Sequence, residues 1–374
     1  MSNMNEYKSI TAFHPGYYSA EIIEDMGISQ AEFAERLGSN TKTLSCLING
    51  QANVTNDLAK KLSTMMGTSP EVWLNLQNTY DQKVIEIQKS KDYDEQAAMA
   101  RMIDYRYFME VAELPAANSI REKISHLCGW LKVADLRILA KPDFLVNYRT
   151  GVSDVREKNV VNAKAWIQTA INFASGIETK PYKAERLKSY LPEIRSMTLQ
   201  SPEKFLPRMR KVFAECGVVF VLLPSLKNSG VNGAVKWMND ERVLLAMNNR
   251  RLDADIFWFS LFHEIGHVFQ RKIKTVFVSY DEKAMSEANK QLEEEADIFA
   301  KNRLIPASDY RNFSPTKYTS DAEIVAFAKS IGIHPGIVAG RLQHEGILPP
   351  ARTAKFKEKY EIKELRYGEI YRVY

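Results

Sequence analysis

Cysteine is scarce in this chain. The three present in 374 residues, Cys46, Cys128 and Cys216, are single and far apart, with no Cys-x-x-Cys pair. This excludes a disulfide scaffold, suits a reducing cytoplasm, and leaves cysteine out of any metal site. Long apolar runs are missing as well. The most apolar stretch, around Ile256 to Phe269, is interrupted by two histidines and Glu264, so no membrane span is expected. The amino terminus, Met1-Ser2-Asn3-Met4-Asn5-Glu6, lacks the basic and apolar regions of a secretion signal, and the expected location is cytoplasmic. There is no internal repeat and no low-complexity tract. What is there, 45% hydrophobic and 26% charged residues, is enough for two or three globular domains and excludes a disordered chain.

The most informative run is His263-Glu264-Ile265-Gly266-His267. On a helix, positions four apart lie on one face a turn apart, so His263 and His267 can aim imidazole nitrogens at one metal, with Glu264 beside them. Two histidines and a carboxylate hold zinc with a position left for water, and a neighbouring glutamate can take that water's proton as it attacks a peptide carbonyl. Trp258, Phe259, Leu261, Phe262, Val268 and Phe269 mark the helix as buried, where a glutamate between two histidines is costly without a task. Two nitrogens and one carboxylate suit zinc better than magnesium or calcium.

A third ligand is expected downstream, in the helical stretch from Gln291 to Ala300. Glu293 and Asp297 are again four apart. Glu293 can reach the metal while Asp297, one turn on, accepts a hydrogen bond from a ligand histidine and fixes its tautomer. Glu294 and Glu295 are rival ligands that periodicity leaves open.

With these residues in view, the region from about 205 to 348 resembles the ImmA/IrrE family of gluzincin-type metallopeptidases. The stretches that carry the resemblance are Ala214 to Val221, Val231 to Trp237, Phe257 to Glu264, Glu293 to Ala300 and Gly332 to Gln343. It implies His263, His267 and Glu293 as zinc ligands, Glu264 as general base, and Asp297 as the residue orienting a ligand. Three apolar runs, Gly217 to Leu223, Gly233 to Met238 and Arg242 to Met247, each read as a strand, and an edge strand beside the metal helix would pair with an extended substrate. A donor for the transition-state oxyanion is also needed; Tyr280, Tyr310, Arg341 and His344 qualify by type, and none is assigned.

A second pattern lies near the amino terminus, where Ser29 to Gly38 is followed by Ser39 to Gly50. Ser29 caps a helix whose Phe33, Ala34 and Leu37 face inward, Gly38 allows a tight turn, and Leu44, Leu47 and Ile48 anchor a second helix. This is a helix-turn-helix. Asn40, Thr41, Lys42, Thr43, Ser45 and Asn49 could reach base edges or phosphates in a major groove, with Gln30 touching the backbone. Charge gives little help, because residues 1–80 hold five Lys or Arg against eight Asp or Glu, a net of −3. Lys42, Lys60, Lys61 and Arg36 would carry the electrostatic part, in a weak monomer or a dimer. With His14-Pro15-Gly16 ahead and Gly67 to Tyr80 behind, residues 10–85 resemble HigA-type antitoxins of the Xre-like helix-turn-helix group. That resemblance implies a homodimer on its own operator DNA and pairing with a HigB-like ribonuclease toxin.

Residues 86–200 read as helical through Asp92 to Val111, Ile120 to Ile138 and Val155 to Ile177, with breaks at Pro115, Pro142 and Pro181 and no catalytic pattern. The end, Ala351 to Tyr374, holds seven Lys or Arg against four Asp or Glu and reads as a solvated basic tail. The expected chain is therefore α+β and mostly α. A lambda-repressor-like helix-turn-helix domain spans 1–85, a helical connector 86–200, a gluzincin-like metallopeptidase with a small β-sheet 201–350, and a basic tail 351–374. Two functions fit. One is a DNA-binding antitoxin or repressor whose zinc endopeptidase cleaves a repressor, a toxin or the chain itself. The other is a non-enzymatic antitoxin in which the zinc domain is a sensor or toxin-binding platform.

Overall fold

The computed structural model describes residues 3–141, 157–249, 253–271, 276–280 and 287–360. They are mostly helical, with two small sheets, and the chain divides into two compact units, Met1–Ala97 and Ala98–Tyr374.

The first unit begins with an antiparallel hairpin, β1 (Met4–Tyr7) and β2 (Ile10–Phe13), turned at Lys8 with φ 53°. Helices α1 (Pro15–Asp25), α2 (Gln30–Arg36), α3 (Thr41–Ile48), α4 (Asn56–Met66) and α5 (Pro70–Met102) follow, the last running across the division. Each short helix starts on a side chain that satisfies an otherwise orphaned N–H. Ser29 accepts from Glu32 N–H at 3.1 Å, Asn40 from Thr43 N–H at 2.8 Å and Thr55 from Leu58 N–H at 3.3 Å. The turn between α2 and α3 needs φ +60° at Gly38, which a side chain would resist. Phe33, Ala34, Leu37, Leu44 and Leu47 form the core with Leu58, Leu62 and Trp73. At Gly16 a methyl would lie 1.9 Å from the carbonyl oxygen of Leu47, so α1 crosses the end of α3 with backbone against backbone.

In the second unit α6 (Tyr105–Val111), α7 (Ile120–Leu131), α8 (Glu157–Ser175), α9 (Ala184–Ser196) and α10 (Pro202–Glu215) precede the sheet. The helix expected from Asp92 to Val111 is broken at Ile103–Asp104, where Asp104 caps α6 through Arg106 N–H at 3.2 Å. The helix expected from Ile120 to Ile138 ends at Lys132, which takes φ 56°. Pro142 lies outside the described residues. Strands β3 (Val218–Leu223), β4 (Val231–Asn239) and β5 (Arg242–Asn248) agree with the three apolar runs. Beyond them come α11 (Ala254–Gln270), β6 (Val276–Tyr280), α12 (Glu287–Leu304), α13 (Ala307–Phe313), α14 (Asp321–Ile331), α15 (Pro335–His344) and α16 (Pro350–Thr353).

The sheet runs β3-β5-β4-β6, with β3 parallel to β5 and β4 antiparallel to both its neighbours. Strands β3 and β5 are buried on both faces, which is why they read as continuous apolar runs rather than alternating ones. Val218, Phe220 and Leu222 pack into the core with α10 and α11, while Val219, Val221 and Leu223 pack into another with α6, α7 and α8. Trp166 of α8 and Tyr107 of α6 both donate to the carbonyl of Pro224, at 2.9 and 3.1 Å. The helices of 98–200 thus share a core with the sheet.

The reading of 351–374 as a solvated tail is corrected in its described part. Thr353 is fully buried, Tyr360 accepts from Trp258 Nε1–H at 2.7 Å and packs on Phe205 and Phe257, and Glu358 carbonyl accepts from Ala254 N–H at 2.7 Å. A capped helix start and an aromatic cluster outweigh the solvation of scattered lysines, since each such ring is worth about 1.5–3 kcal/mol when buried. Residues 361–374 lie outside the described residues.

Candidate metal centre and nucleic-acid interface

Helix α11, which carries the two histidines, and the acidic helix α12 meet at Gly266. A methyl there would lie 3.0 Å from Ala296 Cα, so the two backbones touch with no side chain between them. This contact brings α12's acidic face to the histidines. Ligand atoms of His263, His267 and Glu293 all lie within 4.8 Å of one another. His263 Nε2 is 3.0 Å from Glu293 Oε2 and 3.0 Å from His267 Nε2, and His267 Nε2 is 3.4 Å from Glu293 Oε1. Of the rival carboxylates, Glu294 is exposed, and Glu295 lies by Gln291 and Gln270 instead.

The donor set fits a metal on its own chemistry. His263 Nδ1 stands 2.8 Å from Asp297 Oδ1, and with Nδ1–H donating to that carboxylate Nε2 is left as a lone pair. It faces another imidazole nitrogen and a carboxylate. Electron-pair donors at this separation need a cation or a proton among them. Zinc bonds of about 2.0–2.1 Å in tetrahedral geometry put ligand nitrogens roughly 3.3 Å apart, close to what is present.

Electrostatics agree. Burial disfavours the His263 cation, but the Asp297 and Glu293 carboxylates outweigh it and push its pKa up to about 10. Burial likewise opposes ionisation of Glu293, and the two histidines outweigh it, lowering its pKa to about 2. Glu264 is 1% exposed, and a methyl on Gly233 of β4 would lie 2.3 Å from its Oε1. The carboxylate is therefore seated on bare strand backbone next to the ligand helix.

Two participants went unread in the sequence. Gln270, the last residue of α11, places Oε1 2.8 Å from His267 Nδ1 and donates from Nε2 to Leu292 carbonyl at 2.7 Å. Its position three beyond His267 was the available signal. Gly233 offers no functional group and gave none. The outer edge of β4 is paired with β6, Gly233 lying opposite Ser279, so the strand beside Glu264 is not itself the sheet's edge. Among the oxyanion candidates, Tyr310 donates to Glu345, which also accepts from Arg341 Nε at 2.8 Å, and the Arg341 guanidinium stacks 3.6 Å from the Tyr310 ring. These side chains serve one another. His344 is exposed, and the side chain of Tyr280 lies outside the described residues.

On the helix-turn-helix, Gln30, Asn40, Thr41, Lys42, Thr43 and Asn49 are exposed and Ser45 is half-buried. Asn40 Oδ1 is occupied by Thr43, both by its N–H and by its hydroxyl at 3.0 Å, and Asn49 Nδ2 donates to Ser45 carbonyl at 2.8 Å. Two of the expected cations are compensated within the chain: Arg36 pairs with Glu32, and Lys61 with Asp57 at 3.0 Å.

Comparison with known proteins places two regions. Residues 20–73 match the helix-turn-helix family profile, and residues 225–343 match the peptidase M78 profile, described as the IrrE N-terminal-like domain. An uncharacterized HTH-type transcriptional regulator of Escherichia coli K12, YddM, is 37% identical over 78 residues, 21% of this chain and 81% of that protein. Antitoxin HigA-1 of Vibrio cholerae is 43% identical over 61 residues, 16% of this chain and 57% of that protein. Among solved structures, a HigA-family addiction module antidote protein from Coxiella burnetii is 33% identical, with 22% of this chain and 91% of that chain covered and a TM-score of 0.21. No single helix among the described residues is long and apolar enough to cross a membrane.

Proposed function

Because this chain belongs, in its amino-terminal part, to the helix-turn-helix regulators related to HigA-type antitoxins, and carries an IrrE N-terminal-like domain behind it, we propose that it is a DNA-binding antitoxin or repressor armed with a zinc endopeptidase. In this reading it works in the cytoplasm as a homodimer on its own operator, with a HigB-like toxin as partner. Its peptidase cuts a repressor, that toxin or the chain itself.

The observation that carries the enzymatic half is the convergence of three ligand side chains with a fourth, buried carboxylate alongside. His263, His267 and Glu293 would hold the zinc. When bound, it supplies a Lewis acid that polarises a peptide carbonyl and acidifies water. Asp297 keeps the His263 proton on Nδ1, so that Nε2 stays a ligand. Glu264, fixed against Gly233, receives the proton of the attacking water on its carboxylate and passes it to the leaving amine. On the DNA side, Gln30, Thr41 and Lys42 project from the starts of α2 and α3, and Thr43, Ser45 and Asn49 continue along α3. Helix starts are the parts of such a motif that approach bases and phosphates.

One observation favours the alternative of a binding platform without turnover. His267 and Glu264 are almost wholly buried, so a substrate must gain entry before hydrolysis.

The deciding experiment compares wild type with Glu264→Gln, both confirmed by metal analysis, against a co-expressed toxin and against the chain itself. Cleavage by wild type, slowed by roughly 10²–10⁴-fold in the variant, is expected for a general base. Equal cleavage by both would remove Glu264 from that role. Full metal occupancy with no cleavage by either would favour the platform.

A further inference from the structure

Gln270 carries no role in the reading above, and its contacts are specific enough to give it one. A side-chain amide has a donor end and an acceptor end, and its neighbours decide which way round it sits. Among the described residues, the partners of Gln270 Nε2 are both acceptors, the Leu292 carbonyl at 2.7 Å and Glu295 Oε2 at 3.5 Å. The amide nitrogen must face them. Oε1 is thereby turned to His267 Nδ1 at 2.8 Å, where it can only accept. His267 therefore carries its proton on Nδ1 and presents Nε2 as a lone pair towards His263 and Glu293.

We propose that Gln270 is a positioning residue for the metal centre, fixing the tautomer and ring angle of His267 while tying the end of α11 to the backbone of α12 beside Glu293. The inference rests on the zinc reading of the site. The backbone link matters because Leu292 immediately precedes a ligand. One amide thus sets the orientation of His267 and the position of the turn that delivers Glu293. The two histidines are oriented differently: His263 has a carboxylate partner in Asp297, and His267 has a neutral one. A neutral partner fixes the ring without adding a negative charge to a site that already holds Glu264, Glu293 and Asp297.

The test is zinc affinity, measured in the full-length protein by competition with a chromophoric chelator, with melting of the stripped forms as a folding control. Removing the partner of a metal-bound histidine typically costs 10–100-fold in affinity, and that loss is expected for Gln270→Ala. Gln270→Glu keeps an acceptor for His267 Nδ1–H but cannot donate to the Leu292 carbonyl. It should bind zinc more weakly than wild type, through the lost tie beside Glu293, yet more tightly than Gln270→Ala, and its stripped form should melt lower. The cobalt-substituted Gln270→Ala protein should also show an altered visible spectrum, which a purely structural role would leave unchanged. Wild-type affinity in Gln270→Ala, or an equal loss in Gln270→Glu, would overturn the proposal. If wild type itself takes up no zinc that His263→Ala abolishes, the metal reading fails, and this inference with it.

Discussion

His263 holds its proton in the metal-free protein because two carboxylates, Asp297 and Glu293, outweigh its burial. Zinc bound at Nε2 would have to expel the proton there, so binding should release protons and tighten as pH rises, by up to tenfold per unit below about 10. Stability follows the opposite sign in the stripped protein. A histidine with a raised pKa stabilises fully below its unfolded value of roughly 6.5, and that contribution is lost as pH climbs through the folded value. Glu293, depressed instead, contributes above roughly 4.3, and its share is lost as pH falls towards about 2. The gap in melting temperature between zinc-loaded and chelator-treated protein should therefore widen from pH 6.5 to 9; a constant gap would contradict the shared proton. The residues behind this were legible in the sequence where helical spacing is rigid: His263 to His267 and Glu293 to Asp297 are both four apart. Gln270 was not, because a glutamine at a helix end has many ordinary uses and only its three-dimensional neighbours single it out.

Between elements, the close crossing of α11 and α12 decides whether His263, His267 and Glu293 meet. Gly266→Ala pushes a methyl against Ala296 and should lower zinc affinity at least tenfold while every ligand remains, measurable by the same chelator competition. In the first unit, Asn40 both caps α3 and faces outward. Asn40→Ala should cost about 1 kcal/mol in unfolding free energy by the lost cap. Lys42→Ala leaves the fold alone and should weaken operator binding evenly across sequences, reducing the slope of log affinity against log salt by roughly one; an unchanged slope would remove Lys42 from the phosphate contacts. Helix-turn-helix and strand elements could be read because Phe33, Leu37, Leu44 and Leu47 keep helical spacing and β3 and β5 are unbroken apolar runs. The amino-terminal hairpin, with four-residue strands, and β6, with five, are too short for periodicity to separate from loop. The break at Asp104 was missed for a similar reason: an aspartate inside an amphipathic run reads as surface until its cap is seen.

At the scale of the whole molecule, the sheet belongs to two cores. Val219, Val221, Leu223, Leu244 and Ala246 are covered by helices that precede residue 176. A fragment of 201–374 leaves that face bare and should be insoluble or bind hydrophobic dye, whereas 98–374 keeps both layers and should melt cooperatively. Equal solubility of the two would mean the helical layer is dispensable. Sequence could not reveal this sharing, since a run of apolar residues shows that a strand is covered on both sides without naming what covers it. The packed carboxyl-terminal segment was hidden by composition, because Lys355 and Lys359 are surface residues while Tyr360 and Thr353 hold it down.

Gly233 and Gly266 give the site an unexpected kind of fragility. Neither has a group that could touch a metal, a proton or a peptide, yet at each a single methyl would collide with its neighbour. In a population of genes, the mutational target for silencing this centre is thus wider than its acids and bases. A lineage could keep both histidines, both glutamates and Asp297 intact and still lose their arrangement by acquiring one alanine.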